Sequence, residues 1–181
     1  MSIENIIALI AALGVGGILG AILNRWFEQQ KQTNEHDLKI FNRSNEILTE
    51  LKLSDIANFH LLSDHSLDDD DFHLLIRWIR FFSETGNQYL DKRLIKHSQE
   101  LLDDLDRLPI FIGYNFFRIK EQNPSNKNQY LRPDWNMERG EPSPEQMDKY
   151  DKYASELEEL TQKTISQYSK YRLSIKQILK I

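Results

Sequence analysis

The chain has 181 residues, 23 of them basic and 28 acidic, a net charge of −5 and no cysteine. The acidic balance excludes the broad basic face that non-specific nucleic-acid binding needs to release counterions. The missing cysteines exclude disulfides, thiolate metal centres and cysteine nucleophiles together. With 40% hydrophobic and 10% aromatic residues the chain has a folded composition, and its length suits one domain beside a membrane segment.

From Asn5 to Asn24 no side chain is charged, and Ile6 to Leu23 is unbroken apolar residue or glycine. A helix over 5–24 at ~1.5 Å per residue spans about 30 Å, the thickness of the hydrocarbon core. The segment therefore predicts a transmembrane helix after a short extracytoplasmic N-terminus (1–4). Arg25, Trp26 and Phe27 stand where interfacial anchors belong. No basic stretch precedes the apolar run and no small-x-small site follows it, so an uncleaved signal anchor is expected. Lysine and arginine occur only on the C-terminal flank (Arg25, Lys31, Lys39, Arg43), which places the following domain in the cytoplasm, beneath the cell (inner) membrane. Ala8, Ala12, Gly16 and Gly20 recur every fourth residue and form one small-residue face, suited to packing against a second copy or another membrane helix.

Residues 25–37 are polar, and Glu28 to Asp37 almost entirely so, which predicts a helical stalk. A helical bundle is expected over 38–120. Its first apolar stripe is Leu38, Phe41, Ile47, Leu48 and Leu51, and Ser54 and Asp55 suit a cap that restarts or bends the helix into Ile56. Phe72 to Phe82 is apolar on more than one face and predicts the most buried helix, with Gly86 as its terminator. A further helix is expected from about Leu90 to Leu108, broken by Pro109. Ile110 to Phe117 fits a short helix or a strand. Residues 121–142, rich in proline and asparagine, read as loop, with Tyr130, Trp135 and Met137 available to dock it. Ser143, Pro144 and Gln146 form a capping-box start for a long C-terminal helix over 143–181. In that helix Met147, Ala154, Thr161, Tyr168, Ile175 and Tyr150, Leu157, Thr164, Tyr171, Ile178 are two rows of heptad spacing. The threonines and tyrosines in them suit an antiparallel bundle better than a separate coiled coil. The expected fold is thus all-α: transmembrane helix, stalk and bundle.

His60, Asp64, His65, Asp68 to Asp71 and His73 are the one cluster with ligand chemistry. Contiguous aspartates point in different directions and rarely converge on one ion, whereas at a helix start they accept from free N–H groups and oppose the helix dipole. Capping is the preferred reading, and no metal or cofactor is assigned. Arg77 and Arg80, bracketing Trp78, suggest an anion site or ion pairs with the nearby aspartates. No P-loop, dinucleotide fingerprint, nucleophile elbow or zincin motif occurs, and no catalytic residue is assigned. The layout is one shared by many small bacterial membrane proteins and specifies no family. The expected function is a non-enzymatic membrane-anchored scaffold presenting its helical domain to a protein partner. The alternatives are an effector whose assembled span perturbs the bilayer and, last, an enzyme with an unrecognised site.

Overall fold

The computed structural model describes the backbone of residues 3–119 and 127–181, with side chains from residue 17 onward except Ile18. Ala8, Ala12 and Gly16 of the small-residue face, and most of the apolar run, lie outside the described side chains. Among the described residues no helix is long and apolar enough to cross a membrane.

The molecule is mostly helical and carries one small sheet. Helix α1 runs without interruption from Ile3 to Ile47. Its side chains from Leu19 to Gln32 are exposed, and the helix meets the domain at Asp37 and Ile40, both buried. The stalk is thus an extension of the bundle's own first helix. Thr49 then caps α2 (Glu50–Asp55), its hydroxyl accepting from the Lys52 N–H at 3.1 Å. This corrects the restart expected at Ser54 and Asp55: Ser54 instead accepts from the Asn58 side chain. The backbone continues as a π-helical stretch, Ile56–Ser63, in which Ile56, Ala57 and Leu61 are buried.

Helix α3 (Asp69–Ser83) ends before Gly86, which sits in a 3₁₀ turn and not in a left-handed cap. Helix α4 spans Lys92–Leu105, capped by Asp91, and α5 spans Arg107–Asn115. Pro109 lies in the first turn of α5. A proline ring clashes with the carbonyl four residues back, here Leu105, the last residue of α4. The chain therefore breaks ahead of the proline. Ile110 to Phe117 resolves into both options, α5 followed by strand β2 (Phe116–Phe117).

The expectation of an all-α fold, with unbroken loop over 121–142, is corrected by the sheet. Strands β1 (Ser66–Asp68), β3 (Asn128–Leu131) and β2 pair antiparallel in the order β1-β3-β2. Ser66 faces Tyr130 and Phe116 faces Leu131. Tyr130 and Leu131 are buried and Trp135 stacks near Tyr153, so the segment is docked, while Met137 is exposed. Gly140 makes the close return possible, because a Cβ there would stand 3.0 Å from the Pro133 carbonyl oxygen. Residues 120–126 lie outside the described residues.

Helix α6 (Pro144–Leu179) opens with the predicted capping box. It runs antiparallel to α1, since Tyr168 reaches Leu48 and Arg172 reaches Asn45. It also runs antiparallel to α4, where Lys163 pairs with Asp104 at 2.7 Å. Leu157, Thr161, Thr164, Tyr168, Tyr171 and Ile175 are buried, so both heptad rows face the bundle core. At its centre Trp78 of α3 lies within ring contact of Tyr168 and Tyr171 and donates to the Ser44 carbonyl at 3.1 Å.

Candidate functional site

The aspartate run disperses into separate structural duties. Asp68 caps α3, accepting from the Asp70 N–H at 2.7 Å. Asp69 takes Arg118 and Gln129, tying the helix to the sheet. Asp70 pairs with Lys127 at 2.9 Å. Asp71, nearly buried, pairs with Lys52 at 2.6 Å and lies 3.9 Å from His60. Asp64 turns the other way to Arg139 at 2.6 Å. Among the residues described, no three histidines or carboxylates gather as an ion site.

His65 and Tyr150 form a second polar cluster. His65 holds a left-handed φ of 46°, which turns the chain from the π-helical stretch into β1. Its Nδ1 lies 2.7 Å from the Tyr150 hydroxyl, which also accepts from the Asn136 amide at 2.9 Å. The two side chains thus share one hydrogen bond, whose donor is set by the histidine tautomer. Burial lowers the His65 pKa, with Asp64 opposing and Arg139 adding to the shift; burial also raises that of Tyr150. The group clasps β1, the 132–140 segment and α6 together.

Two further polar residues escaped sequence reading. Asp37 is fully buried, and its carboxylate accepts from the backbone N–H groups of Leu90 and Asp91 at 2.7 and 2.9 Å, pinning the start of α4 to α1. It stands in a stretch that is polar throughout, so nothing in the pattern separates it from its exposed neighbours. Arg132, at a left-handed φ of 34°, lies within 5.2 Å of the rings of Phe117, Trp135 and Tyr153 and donates to Asn115 at 2.9 Å. It ties the sheet to α6 by cation–π contact with Phe117 and Tyr153 and to α5 by the Asn115 hydrogen bond.

A groove lies between α1 and α3. It encloses about 900 Å³ and is lined on one side by Arg43 and Ile47 and on the other by Leu74, Arg77, Arg80 and Phe81. Arg43 lies over the Phe81 ring at 5.3 Å. The aspartates expected to pair with Arg77 and Arg80 are engaged elsewhere, as described above. Among the described residues neither arginine has a hydrogen bond or ion pair. The sequence signal was the pair of arginines three apart; the third member, Arg43, is supplied by a helix distant in the chain. A second cleft, about 490 Å³, lies between α3 and α4, with Phe82, Tyr89 and Leu102 in its wall and the exposed Asp103 and Asp106 on its rim.

Of the sequence-predicted membrane residues, Gly20 is exposed, and a Cβ there would meet nothing within 4 Å. Arg25, Trp26 and Phe27 lie on the exposed part of α1, the two rings 5.1 Å apart edge to face. Comparison with known protein families, with curated proteins and with solved structures finds no match to this chain.

Proposed function

We infer that the chain is a membrane-anchored helical scaffold, with its N-terminus outside and its domain cytoplasmic, that presents the α1–α3 groove to a protein partner. The observation that carries this reading is the course of α1. One helix connects the apolar N-terminal run to a wall of the groove. On the way it exposes Leu19, Ile22, Leu23, Trp26 and Phe27, each more than half accessible. Apolar side chains in such a row are stable against lipid or another helix and costly in water. From Phe27 to Asp37 the helix rises about 15 Å, which holds the domain clear of the headgroups. The second support is the groove itself, in which Arg77 and Arg80 stand beside apolar walls and, among the described residues, have no carboxylate partner; arginine is enriched in protein interfaces.

The reading assigns no catalytic or cofactor-binding role to any residue. A C-terminal reporter tests the anchor and its direction. Fluorescence of a C-terminal green fluorescent protein, with the fusion sedimenting in membranes, is the expected outcome. Alkaline phosphatase activity at the same position would reverse the topology, and a fusion that stays in the supernatant would remove the anchor.

A further inference from the structure

The α3 wall of the groove contains Asp70, Leu74, Arg77, Phe81 and Glu84, a stripe that recurs every three or four residues along the whole helix. At ~1.5 Å per residue this stripe is about 21 Å long, so a second helix of four turns can lie along it. Ile47, Leu74 and Phe81 give it an apolar lining, and Arg43, Arg77 and Arg80 add positive charge toward the C-terminal half of α3. The acids along the groove do not cancel that charge. Asp70 and Asp71 are paired with Lys127 and Lys52, which leaves Glu84, hydrogen-bonded to the neutral Asn87 amide at 2.7 Å, as one carboxylate against three guanidinium groups.

We propose, on the scaffold reading above, that this groove receives an acidic amphipathic helix of a partner protein. The partner's apolar stripe packs on Ile47, Leu74 and Phe81, and its carboxylates meet Arg43, Arg77 and Arg80. Helix-in-groove recognition reads a partner through anchors three and four residues apart, which is the spacing of the α3 wall. The guanidinium fork matches a carboxylate in bidentate geometry and selects acids by charge.

A second copy also carries an acidic helical surface, formed on α6 by Asp148, Asp151, Glu156 and Glu159. Height argues against it. Helix α6 runs antiparallel to α1 with Tyr168 level with Leu48. Glu159 therefore stands about 14 Å farther from the membrane end than Leu48, and Arg43 about 8 Å nearer to it. Two copies in one bilayer present these surfaces at levels about 20 Å or more apart.

The test uses the full chain in detergent micelles and a labelled synthetic amphipathic helix of about 18 residues. The helix carries leucine on one face and glutamate flanking it. A matched peptide has lysine for every glutamate. Fluorescence anisotropy is expected to show binding of the glutamate peptide that weakens with salt, and no binding of the lysine peptide. The triple variant Arg43→Gln, Arg77→Gln, Arg80→Gln is expected to weaken it by about tenfold or more, since each arginine–carboxylate pairing is worth a few-fold in affinity. Its circular dichroism should be unchanged because all three side chains are exposed. Equal binding of the two peptides, an unchanged affinity in the triple variant, or no binding of the glutamate peptide would each overturn the proposal. A photoreactive residue at Ile76 in native membranes separates the two levels of inference. If the glutamate peptide fails while the crosslink traps a different protein, the acidic-helix partner falls and the scaffold stands. A crosslink to a second copy alone overturns the proposal in favour of self-association.

Discussion

Tyr89 and Tyr171 meet hydroxyl to hydroxyl in the core, both buried, with Phe82 and Trp78 packed around them. Burial raises both phenol pKa values well above the ordinary tyrosine value, so the pair stays neutral. Removing one hydroxyl leaves the other desolvated without its partner, whereas removing both exchanges a polar pair for two apolar rings. Tyr89→Phe and Tyr171→Phe should each cost about 1–2 kcal/mol in urea unfolding, and the double variant should cost clearly less than the sum. An additive result would show that the two hydroxyls do not depend on each other. His65 supplies a pH effect. Its folded pKa lies below its ordinary value of 6.5, so the unfolded chain binds the proton more readily. The stability it contributes is complete above pH 6.5 and is lost as pH falls through that value toward the folded pKa. Protonation makes both ring nitrogens donors, so Nδ1 then donates to the Tyr150 hydroxyl. In His65→Asn, which keeps a residue tolerant of the left-handed backbone, this part of the acid slope in denaturation midpoint should disappear. At this scale the sequence displayed residue types but not their partners. The aspartate run was legible as a helix start because capping is local. Asp37, Arg132 and Arg43 were not, because each meets groups brought in from other elements.

Among the elements, those specified by local chemistry were legible and those made by distant pairing were not. The capping box of α6, the aspartates at the start of α3 and the heptad rows of α6 all act within a few turns, and all stand where the pattern put them. The sheet is different. Its strands have three, two and four residues, too short for a period-two pattern to declare itself. They also join segments far apart in the chain. The π-helical stretch was equally hidden, because its apolar residues look like those of an α-helix. The heptad rows also contain a local conflict. Thr161 and Thr164 are fully buried, and their hydroxyl oxygens have no hydrogen-bond partner among the described residues. A coiled-coil seam would carry aliphatic residues at these places, and the bundle interior asks for the same. Thr161→Val and Thr164→Val keep the shape and the β-branch while removing a desolvated hydroxyl. Each should raise stability by on the order of 1 kcal/mol, read as a higher melting temperature. Destabilisation by either would mean that the hydroxyl has a bonding role in the folded chain.

For the molecule as a whole, the decisive feature is that α1 joins a part fixed in the domain core to an exposed stretch from Leu19 to Gln32. Its domain half is fixed by Asp37 and Ile40 in the core, and its stretch from Leu19 to Phe27 exposes apolar residues that no other described residue covers. On the anchored reading proposed above, any contact between copies through the domain must respect the common height that one bilayer imposes. The arginine groove and the acidic face of α6 fail that requirement, as their levels show. Association between copies is therefore expected in the apolar half of α1, where Gly16 and Gly20 stand four apart with Ala8 and Ala12 in the same register. Gly16→Leu with Gly20→Leu fills that face without changing helix hydrophobicity adversely, and should lower the self-association signal in a membrane two-hybrid assay by several-fold. Glu156→Lys with Glu159→Lys reverses charge on the exposed face of α6 and should leave the signal unchanged. The opposite pattern, loss with the α6 variant and none with the glycine variant, would place the contact in the domain. It would also require the stalk to bend, because a straight α1 cannot bring those two surfaces to one level.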